Sequence, residues 1–116
     1  MSAVAELAVP RAEAIARLND QVRKTGTGGT IMVTQGVLAI TGFNSPELAE
    51  ALAAYDAFDP DNDPHGERDF GDLKLWGENL FWKLDYYSSD LRYGSDDPAD
   101  PAKTKRVLTV MLTSEW

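Results

Sequence analysis

Residues 100–112 read DPAKTKRVLTVML, and the fold turns on how this stretch is read. Asp100 can cap a helix and Pro101 suits its first position, while Val107, Leu108, Met111 and Leu112 fall on one helical stripe. VLTVML by itself fits a buried strand equally well. The start signals and the length favour a helix, and a helix is expected here.

Upstream of it, DLKLW and LFWKLDYY flank Gly77-Glu78-Asn79. Alternation places Leu80, Trp82, Leu84 and Tyr86 on one face and Phe81, Lys83, Asp85 and Tyr87 on the other, which predicts a β-hairpin. TIMVTQGVLAIT, residues 30–41, is rich in β-branched residues and divides at Gln35-Gly36, which predicts another hairpin. Two helices complete the pattern. Residues 10–25 carry Ile15, Leu18 and Val22 at helical spacing, with Pro10 at the start and Gly26 as a stop. Residues 44–58 begin at Asn44 or Ser45, with Pro46 in the first turn and Glu47 placed for a capping box. Leu48, Leu52 and Tyr55 form its apolar stripe. The expected fold is a single α+β domain over residues 1–116. A small antiparallel sheet made of two hairpins is covered by helices, in the order α-β-β-α-β-β-α.

With 116 residues, 43% of them hydrophobic, the chain can bury a core without staples. It has no cysteine, which excludes disulfides and cysteine-ligated metal sites and fits a reducing cytoplasm. MSAVAELAVPRAEAIARLND lacks a basic lead and an unbroken apolar run, so no secretory leader is expected. No stretch approaches the roughly 18 apolar residues of a membrane helix.

The net charge is −8, and residues 56–100 hold thirteen Asp and Glu against four Lys and Arg. Such a field repels nucleic acid and membrane phosphates and attracts cations or basic proteins. The densest part is FDPDNDPHGERDFGD, residues 58–72, which contains the only histidine. Asp59, Asp61 and Asp63 match the first three alternate ligands of an EF-hand loop, but Pro64 stands at the glycine position and Phe70 at the bidentate glutamate. A non-standard calcium or magnesium site built from Asp59, Asp61, Asp63, His65 and Glu67 stays open, as does a small metal-dependent enzyme. The plain alternative is a set of turns whose carboxylates cap backbone amides. TGTGG, residues 25–29, has Thr30 where a phosphate loop needs lysine. His65-x-Glu67 lacks the cysteine pair of a zinc deaminase, and no nucleophile-elbow motif accompanies the lone histidine.

The third reading is an acidic recognition face. Asp59, Asp61, Asp63, Glu67, Asp69 and Asp72 form one row of charge and Asp90, Asp96 and Asp97 a second. Trp76 and Tyr87 are candidate anchors in the hairpin between them. Its plain counterpart is an acidic surface that serves solubility, with the aromatics filling the core.

F-D-P-D-N-D-P-H-G-E-R-D-F-G, F-W-K-L-D-Y-Y, D-L-R-Y-G-S-D-D-P-A-D-P and R-V-L-T-V-M-L, together with L-N-D and T-G-T-G-G, span nearly the whole chain. As a set they resemble a bacterial family catalogued as a domain of unknown function, found mainly in alphaproteobacterial genomes, plasmids and prophages. The resemblance carries no catalytic residues with it. It implies a cytoplasmic bacterial protein, with mobile elements as one setting. Such elements encode small acidic, cysteine-free inhibitors of host defence, anti-restriction and anti-CRISPR proteins among them, and several imitate nucleic acid. The leading expectation is therefore a non-catalytic inhibitor, without cofactor, that binds a basic surface on a nucleic-acid-binding defence protein.

Overall fold

The computed structural model of the protein describes residues 9–116. The leader reading rests in part on residues 1–8, which lie outside the described residues. Helix α1 runs from Arg11 to Thr25 and closes on Gly26 in the left-handed conformation (φ 74°), whose amide donates to the Val22 carbonyl. Strand β1 follows at Thr30–Val33.

The predicted second strand of the first hairpin is instead a helical turn, α2, Gln35–Leu38. The Thr34 hydroxyl accepts a hydrogen bond from the Val37 amide and so caps this turn, burying Val37 completely. Its neighbour Gln35-Gly36 lacks the Asn-Gly or Asp-Gly chemistry that a two-residue hairpin needs. Helix α3, Ser45–Ala54, starts as expected, with the Asn44 side chain accepting from the Glu47 amide and Pro46 in the first turn. It stops at Ala54, four residues before Phe58.

Strands β2, Phe70–Leu75, and β3, Glu78–Tyr87, form the expected hairpin. Trp76 and Gly77 both take positive φ, 54° and 77°, the backbone that closes a two-residue turn with the strand's own twist. The predicted third helix is strand β4, Lys105–Leu112, ending in a 3₁₀ turn at Thr113–Glu115. The helix-start signals at Asp100 are used for a turn, in which the Asp100 carboxylate accepts from the Ala102 amide and the Asp100 carbonyl from the Lys103 amide. Along β4 the side chains alternate, with Arg106, Leu108 and Val110 buried on one face.

The sheet order is β1-β4-β3-β2, with β4 antiparallel to β3 and parallel to β1. The α+β class stands, but one pair of the sheet is parallel, and the order is α-β-α-α-β-β-β. One face of the sheet carries Leu80, Trp82, Leu84, Leu108 and Val110, which pack with Val22, Leu48, Leu52 and Tyr55 of the helical layer. Trp82 is fully buried, and Gly71 beside it leaves the room: a Cβ there would sit 2.5 Å from the indole nitrogen. Arg23 fastens the two longer helices together. Its guanidinium donates to the Leu52 and Tyr55 carbonyls at 2.7 and 2.8 Å, satisfying the end of α3.

Candidate functional site

The acidic segment 59–69 is folded largely by its own carboxylates. Asp59 accepts from the Asp61 and Asn62 amides, and Asn62 returns a bond from its side chain to the Ala57 carbonyl. Asp63 accepts from the amide of Arg68, whose φ is 52°. Glu67 turns inward to receive the Tyr86 hydroxyl at 2.8 Å. Asp59, Asp61, Asp63, His65 and Glu67 therefore do not converge. Among the described residues, no three His, Asp or Glu side chains are positioned to hold a metal ion. The turn-forming reading of the aspartates describes this loop.

A polar network ties the loop to the rest of the molecule. Asn19, fully buried on α1, donates to the Tyr86 hydroxyl and the Glu67 carbonyl and accepts from Arg106 Nε at 2.8 Å. Arg106 also donates to the Pro98 carbonyl and stacks over the Tyr86 ring at 5.1 Å. Burial lowers the Arg106 pKa from its ordinary value and raises that of Tyr86. Arg68 reaches across to Asp20 at 2.8 Å and Glu13 at 3.2 Å, and these hydrogen bonds raise its own pKa. Burial opposes charge on Asp20, but hydrogen bonds from Arg68 and Arg23 hold its pKa below the usual carboxylate value. Asp69 is pushed the other way, first by burial and then by the Glu67 and Asp63 charges.

Of the first predicted row, Asp59, Asp61 and Asp72 are exposed and make no side-chain ion pair among the described residues, Asp59 being engaged in the turn. In the second row, Asp90 caps a turn through Ser88 and the Arg92 amide, and Asp97 pairs with Arg11 at 3.2 Å. Asp96 is exposed. Both acidic segments are thus fastened to α1, one through Glu13, Asn19 and Asp20 and the other through Arg11. Tyr87 lies at that end of the sheet. Trp76 lies at the other end of β3, ~30 Å away along the strand, where it packs on Phe43 at 5.3 Å.

The second face of the sheet has no helix laid across it among the described residues. Thr34, Lys83, Asp85, Tyr87, Thr109, Met111, Glu115 and Trp116 line an open groove of about 470 Å³ there. Phe70, Phe81 and Trp116 form an aromatic triad beside it, with centroids 5.1–5.7 Å apart, and Trp116 is 69% exposed. The sequence reading missed Met111, Glu115 and Trp116 as contributors. Had VLTVML been taken as a strand, its alternation would have brought Met111 to this face.

The fold and this surface define a small α+β domain whose sheet is helix-covered on one side and acidic at one end. The chain belongs to the family described as "Protein of unknown function (DUF3768)", whose model matches residues 33–115. No curated protein and no solved structure matches it.

Proposed function

We propose that the protein is a non-catalytic binding module that engages a basic protein surface with the acidic end of its sheet. Its partner in this reading is a nucleic-acid-binding protein of a bacterial host defence system, and the module acts as an inhibitor from a mobile element. The observation that carries the reading is the attachment of both acidic segments to one helix, which holds exposed Asp61 and Asp96 on a common scaffold. A groove that binds phosphates is lined with Lys and Arg, and ordered carboxylates can occupy it in place of nucleic acid. The lone histidine, His65, is exposed and, among the described residues, has no carboxylate or hydroxyl hydrogen-bonded to its ring, so nothing there orients it as a general base.

The test is capture of nucleic-acid-binding defence complexes by the full chain at low and high salt. Asp61, Asp72 and Asp96 are replaced together by Asn, since Asp63 and Glu67 also hold the loop. The expected result is binding that weakens with salt, is displaced by nucleic acid, and falls at least about tenfold in the triple variant. Capture unaffected by salt and by the three substitutions would sink the charge-mimic reading.

A further inference from the structure

The two margins of the sheet differ. Strand β2 presents Asp72 and Lys74, exposed charges of the kind that discourage further pairing. Strand β1 at the other margin reads Thr-Ile-Met-Val, without a charge, and among the described residues pairs only with β4. The Thr34 amide donates to the Val110 carbonyl, and backbone groups along a strand point alternately to either side. The amides and carbonyls of Ile31 and Val33 therefore point away from β4, and among the described residues nothing bonds to them from that side.

The side chains of the same two residues form one wall of an apolar groove of about 220 Å³, whose other wall comes from Phe43, Leu48, Ala49 and Leu52. An unpaired edge beside an apolar groove between strand and helix is the arrangement that accepts an extended peptide. Main-chain hydrogen bonds give affinity, and alternate side chains entering the groove give selectivity. Charge decides between occupants. A second copy would bring two chains of net charge −8 together. On the opposite face, Glu115 lies against Thr34 at the end of β1, its carboxylate held 2.7 Å from the hydroxyl, where a cationic side chain would meet it.

We propose that β1 takes an extended segment of a partner protein as a fifth strand. In that segment, apolar side chains that enter the Ile31–Leu48 groove alternate with Lys or Arg side chains on the open face of the sheet. This rests on the proposed function in taking the partner to be basic, and adds a second contact, an extended segment of the same partner held at the β1 margin away from the acidic end.

The experiment uses the full chain and three pools of synthetic heptapeptides. The first alternates Lys or Arg with Val, Ile, Leu, Phe, Tyr or Trp; the second replaces the basic residues by Asp or Glu; the third is the first with alternate amides N-methylated. Amide hydrogen exchange is followed by NMR. The basic pool is expected to slow exchange at Ile31 and Val33 by about tenfold or more at saturation, and the other two pools to leave it unchanged. Val33→Pro, which removes an outward amide that the ladder does not use, abolishes the effect at Ile31 while β3 and β4 stay protected. Ala49→Trp, which fills the groove, does the same and serves where the proline variant does not fold.

Unchanged exchange at Ile31 and Val33 with the basic pool overturns the proposal. So does equal protection by the acidic pool, or a dimer in sedimentation whose Ile31 and Val33 amides are protected without peptide. Salt-sensitive capture that persists in both variants would overturn strand addition and leave the proposed function standing.

Discussion

Asn19 is the residue on which the polar interior depends. Three hydrogen bonds meet on its carboxamide, from Arg106 and to Tyr86 and Glu67, at a site with no solvent access. Asn19→Ala should cost ~2–4 kcal/mol, because Arg106 Nε would lose its partner where water cannot replace it; denaturant unfolding reads this directly. Asp69 makes the opposite case. Its folded pKa is raised, chiefly by burial, so its charge costs stability at neutral pH, and the cost disappears as pH falls through the folded value toward the ordinary carboxylate range. Asp69→Asn is therefore expected to raise the melting temperature at pH 7. The gain should shrink to nothing below about pH 4, where the wild-type carboxyl is neutral in both states. None of this was legible in the sequence. An asparagine at position 19 of an amphipathic helix reads as surface, and its burial depends on Arg106 arriving from 87 residues away.

At the scale of elements, the acidic loop is held by side chains more than by packing. Arg68 is its clasp, bonded to Asp20 and Glu13 of α1. Arg68→Ala should leave β3 and β4 protected while amide exchange across residues 59–69 accelerates. Acid should release the same segment. The folded pKa values of Glu13 and Asp20 lie below their ordinary values, so their contribution is present above that range and is lost as pH falls through the folded values. Protection of the loop amides, taken against the unstructured-chain rate at each pH, should fall below about pH 4 before that of the strands does. The hairpin β2–β3 and helices α1 and α3 were legible because each carries its own signal: alternation, a stop glycine, a capping asparagine. The error at 35–38 came from reading β-branched content as a strand where the Thr34 side chain caps a helical turn instead.

For the whole molecule, the balance is between a net charge of −8 and a handful of ion pairs, of which Arg11–Asp97 and Arg17–Glu13 are the more exposed and Lys83–Asp85 is half-buried. Exposed pairs contribute little, because solvent screens them and holding two long side chains in one geometry costs entropy, whereas self-repulsion acts over the entire acidic half. Salt should therefore stabilise the protein. The melting temperature is expected to rise by a few degrees between about 10 and 150 mM sodium chloride, where the screening length shortens from ~30 to ~8 Å. A fall would show that the ion-pair network outweighs the repulsion. The same imbalance makes a basic partner favourable and a second acidic copy costly, which is why the uncharged margin at β1 is assigned to another protein.

The sequence by itself determined the composition of the layers: two amphipathic helices, one hairpin with Trp82 on its inner face, and an acidic stretch bent by Asx turns. Those properties are local, set within a few residues by periodicity and by side chains that bond their own backbone. Tertiary structure alone decided the fate of VLTVML, because a short apolar run satisfies a helix or a strand equally. Only the neighbouring edges of β1 and β3 supply the backbone partners that favour the strand. The same long-range pairing turned Glu67 inward, left Asp61 and Asp96 outside, and set an unpaired β1 beside its groove, since each of these depends on segments that meet only when the sheet closes.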